Sequence, residues 1–341
     1  MISRIRRINA FVRLGRFIGD AANEETIAEW VAGAKSRNNW FTPANVRLSL
    51  NAISEQYLNE EKLTAWAESY PEPAHSRKIG VVMAGNIPAV GFHDALCVLI
   101  SGHTLLAKPS SDDPLLIRAL LTQLTEIEPE FKEYIQFVER LNDSDAYIAT
   151  GSDNTARYFH YYFAKKPNII RRNRTSVAAL TGTETHEELR ALGNDILQYF
   201  GLGCRNVSKI FVPAGYDFTG FYESVEEMSP DYLNHHKYFN NYEYNKSIYL
   251  VNRVAHSDNG FLLATESEAL VSPISVLHYQ HYESVEQLKA LLGDSAEKIQ
   301  CIVAKPEMHI AGALPLGGAQ VPGLSDYADG IDTMEFLSNI A

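Results

Sequence analysis

Of the side chains able to act as nucleophiles, the three cysteines differ most in setting. Cys204 stands in GLGCRN, a turn with Gly201 and Gly203 before it and Arg205 and Asn206 after it. A thiol in such a turn can face a cleft, and its thiolate attacks acyl and carbonyl carbon. Cys97 lies in an apolar helical run and Cys301 in an apolar strand, QCIVA, so both read as small core residues. The three are too few and too scattered for a disulfide framework, and no pair has metal-ligand spacing. No metal site is expected, and the compartment expected is reducing, the cytoplasm.

Three further segments could bind a ligand. Each follows an apolar strand pattern: Ala84-Gly85-Asn86-Ile87-Pro88, Ala107-Lys108-Pro109-Ser110 and Ala149-Thr150-Gly151-Ser152. In open α/β sheets ligands sit beyond the carboxyl ends of the strands. A turn that feeds a helix also offers free backbone N–H groups to a phosphate. No G-x-G-x-x-G is present, and Gly201-Leu202-Gly203 follows a helix rather than a strand. Arg171, Arg172 and Arg174 form a basic knot, either structurally paired or in contact with a coenzyme phosphate. His93-Asp94 reads as a polar helix start in preference to a relay, His235-His236 as surface, and 158–163 as a packed aromatic helix face.

The elements that must position these residues alternate. Strands are predicted at 78–83, 104–107, 146–149, 168–171 and 177–180, with helices at 91–100, 113–127 and from the Gly151-Ser152 turn to 164. This rhythm predicts a mostly parallel sheet covered on both faces. A helix over 186–200 places Leu189, Leu192, Ile196 and Phe200 on one stripe just before Cys204. Further strands are predicted at 209–212, 261–264, 274–279 and 299–304, with a helix at 284–292. Ahead of the first strand, helical patterns run from the N-terminus to residue 70. Ile2, Ile5, Ile8, Val12 and Ile18 recur among five arginines. That helix either packs on the body or rests on a membrane surface.

The 341 residues allow about two domains at roughly 100–200 residues each. With 45% hydrophobic and 21% charged residues the chain is globular, not disordered. Its net charge of −12 argues against a general nucleic-acid partner, which needs a basic surface. No apolar run approaches the roughly 18 residues of a membrane span, and the N-terminus lacks the apolar region of a secretory signal.

Taken in order, the motifs resemble the aldehyde dehydrogenase superfamily, and within it the LuxC-like acyl-CoA reductases. The resemblance runs from about residue 78 to 337. GNIPAVGFHD at 85–94 resembles the segment with the oxyanion-binding asparagine, which implies that role for Asn86. AKPS at 107–110 resembles the cofactor lysine motif and implicates Lys108 and Ser110; ATGS at 149–152 resembles the turn under the dinucleotide phosphates, Gly151 and Ser152. GLGC followed by SKIFVP resembles the catalytic cysteine segment, with Cys204 as nucleophile. ALVSPISVLHY at 269–279, LPLGGAQVPGLSDYADG and the N-terminal NNWFTPANVRLSL complete the likeness.

The chain departs from the superfamily pattern in several places. It is short. Ala179 of ALTG stands where an oxidising enzyme carries its general-base glutamate. Ala269 stands at a ribose-binding glutamate position, with Glu268 beside it as the candidate replacement. Ser111 stands where NAD-preferring members are acidic. The resemblance therefore implies an α/β, aldehyde dehydrogenase-like fold with a Rossmann-type cofactor domain and a catalytic domain. The expected division is 1–178, with the tail 312–341 returning to it, and 179–311. It implies NADPH-dependent reduction of an acyl-CoA or carrier-protein thioester to the aldehyde. Peripheral membrane contact, a homo-oligomer and a second subunit are each compatible with it. The competing readings are an oxidative aldehyde dehydrogenase and a non-reducing acyl carrier or scaffold.

Overall fold

The computed structural model describes residues 2–151 and 153–340. They form two compact units, residues 1–173 with 322–341, and residues 174–321.

The first unit begins with helices α1 (Arg4–Gly19), α2 (Glu24–Arg37), α3 (Pro43–Ala52) and α4 (Glu60–Glu68). Then come β1 (Lys78–Val82), α5 (Phe92–Ile100), β2 (Thr104–Lys108), α6 (Leu116–Ile127), β3 (Ile135–Phe137), β4 (Ala146–Thr150), α7 (Asp153–Phe163) and β5 (Asn168–Arg171). The five strands are parallel in the order β3-β2-β1-β4-β5. Strands covered on both faces need near-continuous apolar runs, and Ile79, Val81, Leu105, Ala107, Ile148 and Ala149 are buried accordingly. Strand β3 is too short and too exposed to have been legible.

The second unit holds β6 (Thr175–Ala179), α8 (His186–Leu197), β7 (Val207–Pro213), α9 (Thr219–Val225), α10 (Ser229–Leu233), α11 (His236–Asn252), β8 (Ser257–Asp258), β9 (Leu263–Glu266), β10 (Val276–Tyr282), α12 (Val285–Asp294) and β11 (Ile299–Ala304). Its sheet runs β11-β6-β7-β10-β9-β8, parallel except for the β8–β9 pair. A capping box starts α8: Thr185 accepts from the Glu188 N–H while the Glu188 carboxylate accepts from the Thr185 N–H. A last helix, α13 (Thr333–Ser338), belongs to the first unit. The first unit boundary lies at 173/174, ahead of the 178/179 expected, because 175–179 is a strand of the second sheet; the second lies at 321/322, past the 311/312 expected.

Helix α1 packs. Ile2, Ile8, Val12 and Ile18 are buried, although Ile5 is 70% exposed. Its arginines are taken within the unit: Arg6 by Glu128 and Glu130, buried Arg7 by Glu72 and the Ile100 carbonyl, and Arg16 by Glu60. The membrane-resting alternative thereby loses its apolar face. Among the described residues no helix is long and apolar enough to cross a membrane.

Candidate functional site

In the first unit the three candidate segments stand at the carboxyl ends of the adjacent strands β2, β1 and β4. Chain crossovers leave β1 in opposite directions here, the switch point at which α/β sheets open a crevice. Gly85 permits the first two segments to meet. A Cβ on it would lie 2.5 Å from the Ser110 Cβ and 2.9 Å from the Asp113 nitrogen. Asp113 then ties them together, accepting from the Ala89 N–H at 2.8 Å and the Leu116 N–H at 3.0 Å. Burial pushes its carboxyl up, against the pull of those amides. Helix α6 consequently starts at Leu116, not at Asp113. Asn86 and Ser111 are exposed; Lys108 and Ser110 are half-buried, and Ser110 Oγ accepts from the Asp112 N–H at 3.1 Å. Gly151 is half-buried, with Thr155 and Phe159 each 3.0 Å from where its Cβ would be. Ser152 lies outside the described residues.

The relay reading of His93-Asp94 falls. Asp94 is bonded at 2.6 and 2.8 Å by the Arg171 guanidinium, which also donates to Thr333 Oγ1 at 2.9 Å. His93 sits among Tyr57, Trp66 and Tyr327 and donates from Nε2 to the Leu324 carbonyl at 2.9 Å. Burial lowers its pKa, opposed by Asp94. Arg171 is thus structural, as is Arg174, which donates to the Ile299 carbonyl. Arg172 is exposed. On α7 the aromatic face is not packed as a whole. Phe163 stacks on Tyr147 with ring centroids 4.0 Å apart, whereas Tyr158, Tyr161 and Tyr162 are exposed.

In the second unit Cys204 is half-buried in a turn built from left-handed backbone: Tyr199, Phe200, Gly201 and Gly203 have φ of 52°, 60°, 74° and 108°. Left-handed φ is strained for an aromatic residue. Phe200 holds it by stacking on His235, centroids 4.0 Å apart, with Tyr232 and Tyr238 against the same ring. His235 is accordingly not a plain surface residue; its Nδ1 also caps α11, accepting from the Tyr238 N–H. Two anchors flank the thiol. Ser176 Oγ donates to the Cys204 carbonyl at 3.0 Å, and the Asn206 side chain donates to the Ile196 carbonyl.

A third anchor was not legible in sequence. The buried Asp195 carboxylate accepts from the N–H groups of Gly317 and Ala319 at 2.6 and 2.9 Å, while Arg205 donates to the Ala319 carbonyl. The GGAQ segment is thereby gripped from both sides of its peptide, next to Cys204. Burial pushes Asp195 up to about 6, against the amides.

The other thiols contrast with Cys204. Cys97 is fully enclosed, and burial raises its pKa, which disfavours the thiolate. Cys301 is half-buried rather than core, 2.9 Å from Ser176 Oγ, on the wall of a cavity of about 520 Å³. Glu268 and Ala269 are exposed in the loop between β9 and β10. Among the described residues no cluster of His, Cys, Asp and Glu could hold a metal.

The acyl-CoA reductase (LuxC) family model matches residues 39–228, more than half of the chain. The chain belongs to the LuxC acyl-CoA reductase family. The matched stretch contains Asn86, Lys108, Ser110, Ser111, Gly151, Ser152 and Cys204; Glu268 lies beyond it.

Solved structures share the fold. Proline Utilization A from Corynebacterium freiburgense superposes with a TM-score of 0.59 at 13% identity, over 89% of this chain and 37% of that one. This chain therefore spans well under half of that protein. An NADP-dependent enzyme from E. coli gives 0.66 at 11% identity over 89% and 73%. An NAD-dependent benzaldehyde dehydrogenase from Corynebacterium glutamicum gives 0.63 at 12% over 88% and 76%. At these identities the likeness establishes the aldehyde dehydrogenase fold, a Rossmann-type unit with a catalytic α/β unit. No curated protein sequence matches the chain.

Ala179, which the sequence resemblance sets against a general-base glutamate, is fully buried among Val177, Phe211, Tyr282 and Leu288. The nearest carboxylate along the chain, Glu184, is occupied by the N–H groups of Thr181 and Gly182 and the Thr181 hydroxyl.

Proposed function

We propose that the protein reduces an acyl thioester, a fatty acyl-CoA foremost, to the aldehyde with NADPH, through an acyl group held on Cys204. The observation that carries this reading is the setting of Cys204: half-buried, in a strained turn fixed on three sides. In this reading the Cys204 thiolate attacks the thioester carbonyl and expels the coenzyme A thiolate, which takes up a proton. The Cys204 N–H is one donor for the oxyanion that develops, and the sequence resemblance assigns Asn86 the other. Reduced nicotinamide, when bound, supplies the hydride to the acyl carbon. The resulting thiohemiacetal collapses to aldehyde and frees the thiolate.

The donor set suits a dinucleotide. Lys108, Ser110, Ser111 and the start of α7 offer a cation, hydroxyls and amides beyond the carboxyl ends of β2 and β4, and the sequence resemblance makes Glu268 an acceptor for a ribose. Ser111 carries no charge against a 2′-phosphate, which favours NADPH over NADH. An oxidising enzyme must activate water, and nothing at residue 179 can do so.

Purified protein given acyl-CoA and NADPH is expected to form aldehyde in step with NADPH lost, with a higher kcat/KM for NADPH than for NADH. Oxidation of aldehyde to acid faster than acyl-CoA reduction would favour the oxidative enzyme. Acylation without aldehyde would favour a carrier.

A further inference from the structure

The loop from Ser267 to Ser275 links β9 to β10 with little regular structure, yet three successive carbonyls in it are held by buried side chains. Lys209, 1% exposed, donates from Nζ to the Glu268 carbonyl at 2.8 Å. The buried His278 lies with Nδ1 3.1 Å from the Ala269 carbonyl, so Nδ1 carries the proton. Ser208 Oγ donates to the Leu270 carbonyl at 2.6 Å. Lys209 and His278 are opposite partners in the β7–β10 ladder, so one strand pair delivers all three donors.

Two features suggest more than loop closure. A buried ammonium is costly where an apolar side chain could pack, yet Lys209 stands here and is held further by Gln280 Oε1 at 2.7 Å. Burial lowers its pKa to about 8. Second, the grip falls only on main chain, which leaves the side chains of Glu268 and Ala269 pointing to solvent, both exposed. The clamp is also linked to the nucleophile's turn. Thr175 Oγ1 lies 2.7 Å from Ser208 Oγ and 3.1 Å from the Asn206 carbonyl, two residues past Cys204.

We infer that Ser208, Lys209 and His278 are positioning residues that hold residues 268–270 in register with the Cys204 turn, so that Glu268 is presented to the cofactor ribose. The inference rests on the function proposed above. It assigns the three residues no contact with cofactor or substrate. Their effect passes through the loop and should fall on cofactor affinity, leaving acyl-CoA binding alone.

The test uses the whole chain with Lys209→Met and, because a buried lysine can be needed for folding, the milder Ser208→Ala. Hydrogen exchange without cofactor reads the clamp itself: amides 267–272 should exchange about tenfold faster in either variant, with the β7 and β10 amides unchanged. NADPH titration by nicotinamide fluorescence should show a Kd about tenfold weaker. KM for NADPH should rise to match, with KM for acyl-CoA within about twofold. Unchanged loop exchange in a folded variant overturns the clamp. Faster exchange with unchanged NADPH affinity overturns the positioning role and leaves a structural one. A wild-type chain that reduces no acyl-CoA and binds no nicotinamide cofactor removes the proposed function and the positioning role with it, while the exchange result still stands for the clamp.

Discussion

Asp94 and Asp195 are buried carboxylates that each secure the last part of the chain, one in each unit, by different chemistry. Asp94 meets a guanidinium: Arg171 bonds both its oxygens and reaches Thr333 at the start of α13. Asp195 meets backbone amides of Gly317 and Ala319, and among the described residues it forms no ion pair. An arginine stays charged at any ordinary pH, so the cation of the first anchor is permanent. Amides only partly replace water around a carboxylate, so the second titrates close to neutrality. The proposed nucleophile sits beside the titrating anchor.

The largest effect should come from breaking the first. Asp94→Ala leaves Arg171 charged and unpaired in the core, which typically costs about 3–5 kcal/mol. Asp94→Leu with Arg171→Met should recover most of that loss, because an apolar pair of similar volume avoids both desolvation penalties. Urea unfolding of the three proteins checks this. Equal losses in the single and double variants would show that the charges themselves hold the tail.

Asp195→Asn should cost less, about 1–3 kcal/mol, by turning a donor towards amides that need acceptors. Its pH dependence separates the anchors. The folded pKa of about 6 lies above the ordinary 3.8, so the folded state keeps a proton that the unfolded state releases. That contribution to stability is full below about pH 4 and is lost as pH rises through about 6, by roughly 3 kcal/mol in all. Stability of wild type relative to Asp195→Asn should therefore fall between pH 4 and 7. Parallel profiles would remove the claim that this anchor titrates.

Legibility followed locality. The alternation in the first unit could be read because each strand and the helix after it are contiguous and apolar. Helix α11 escaped. Its tyrosines and asparagines circle the helix, and only Tyr238, Tyr242 and Asn245 are buried. Cys204 was marked by its own glycines. Its anchors were not, because their partners are remote: Asp195 reaches 122 and 124 residues ahead, and Lys209 reaches 59 and 71. A lone acid on the apolar stripe of α8 was the available signal for Asp195, and a lysine inside the apolar strand SKIFV for Lys209. For His93-Asp94 the preferred reading, a polar helix start, stands in the first turn of α5, while its packed partners Arg171 and Leu324 are again remote in the chain.

The most direct test of the account mixes the protein with acyl-CoA and withholds NADPH. One thiol per chain should be released in a burst, with the acyl group recovered on the Cys204 peptide. Release should then slow, because no carboxylate at residue 179 draws a proton from water. Cys204→Ala should abolish both burst and label, while Cys97→Ala and Cys301→Ala should keep them. A label that persists without Cys204, or rapid Cys204-dependent turnover of acyl-CoA to free acid, would contradict the account.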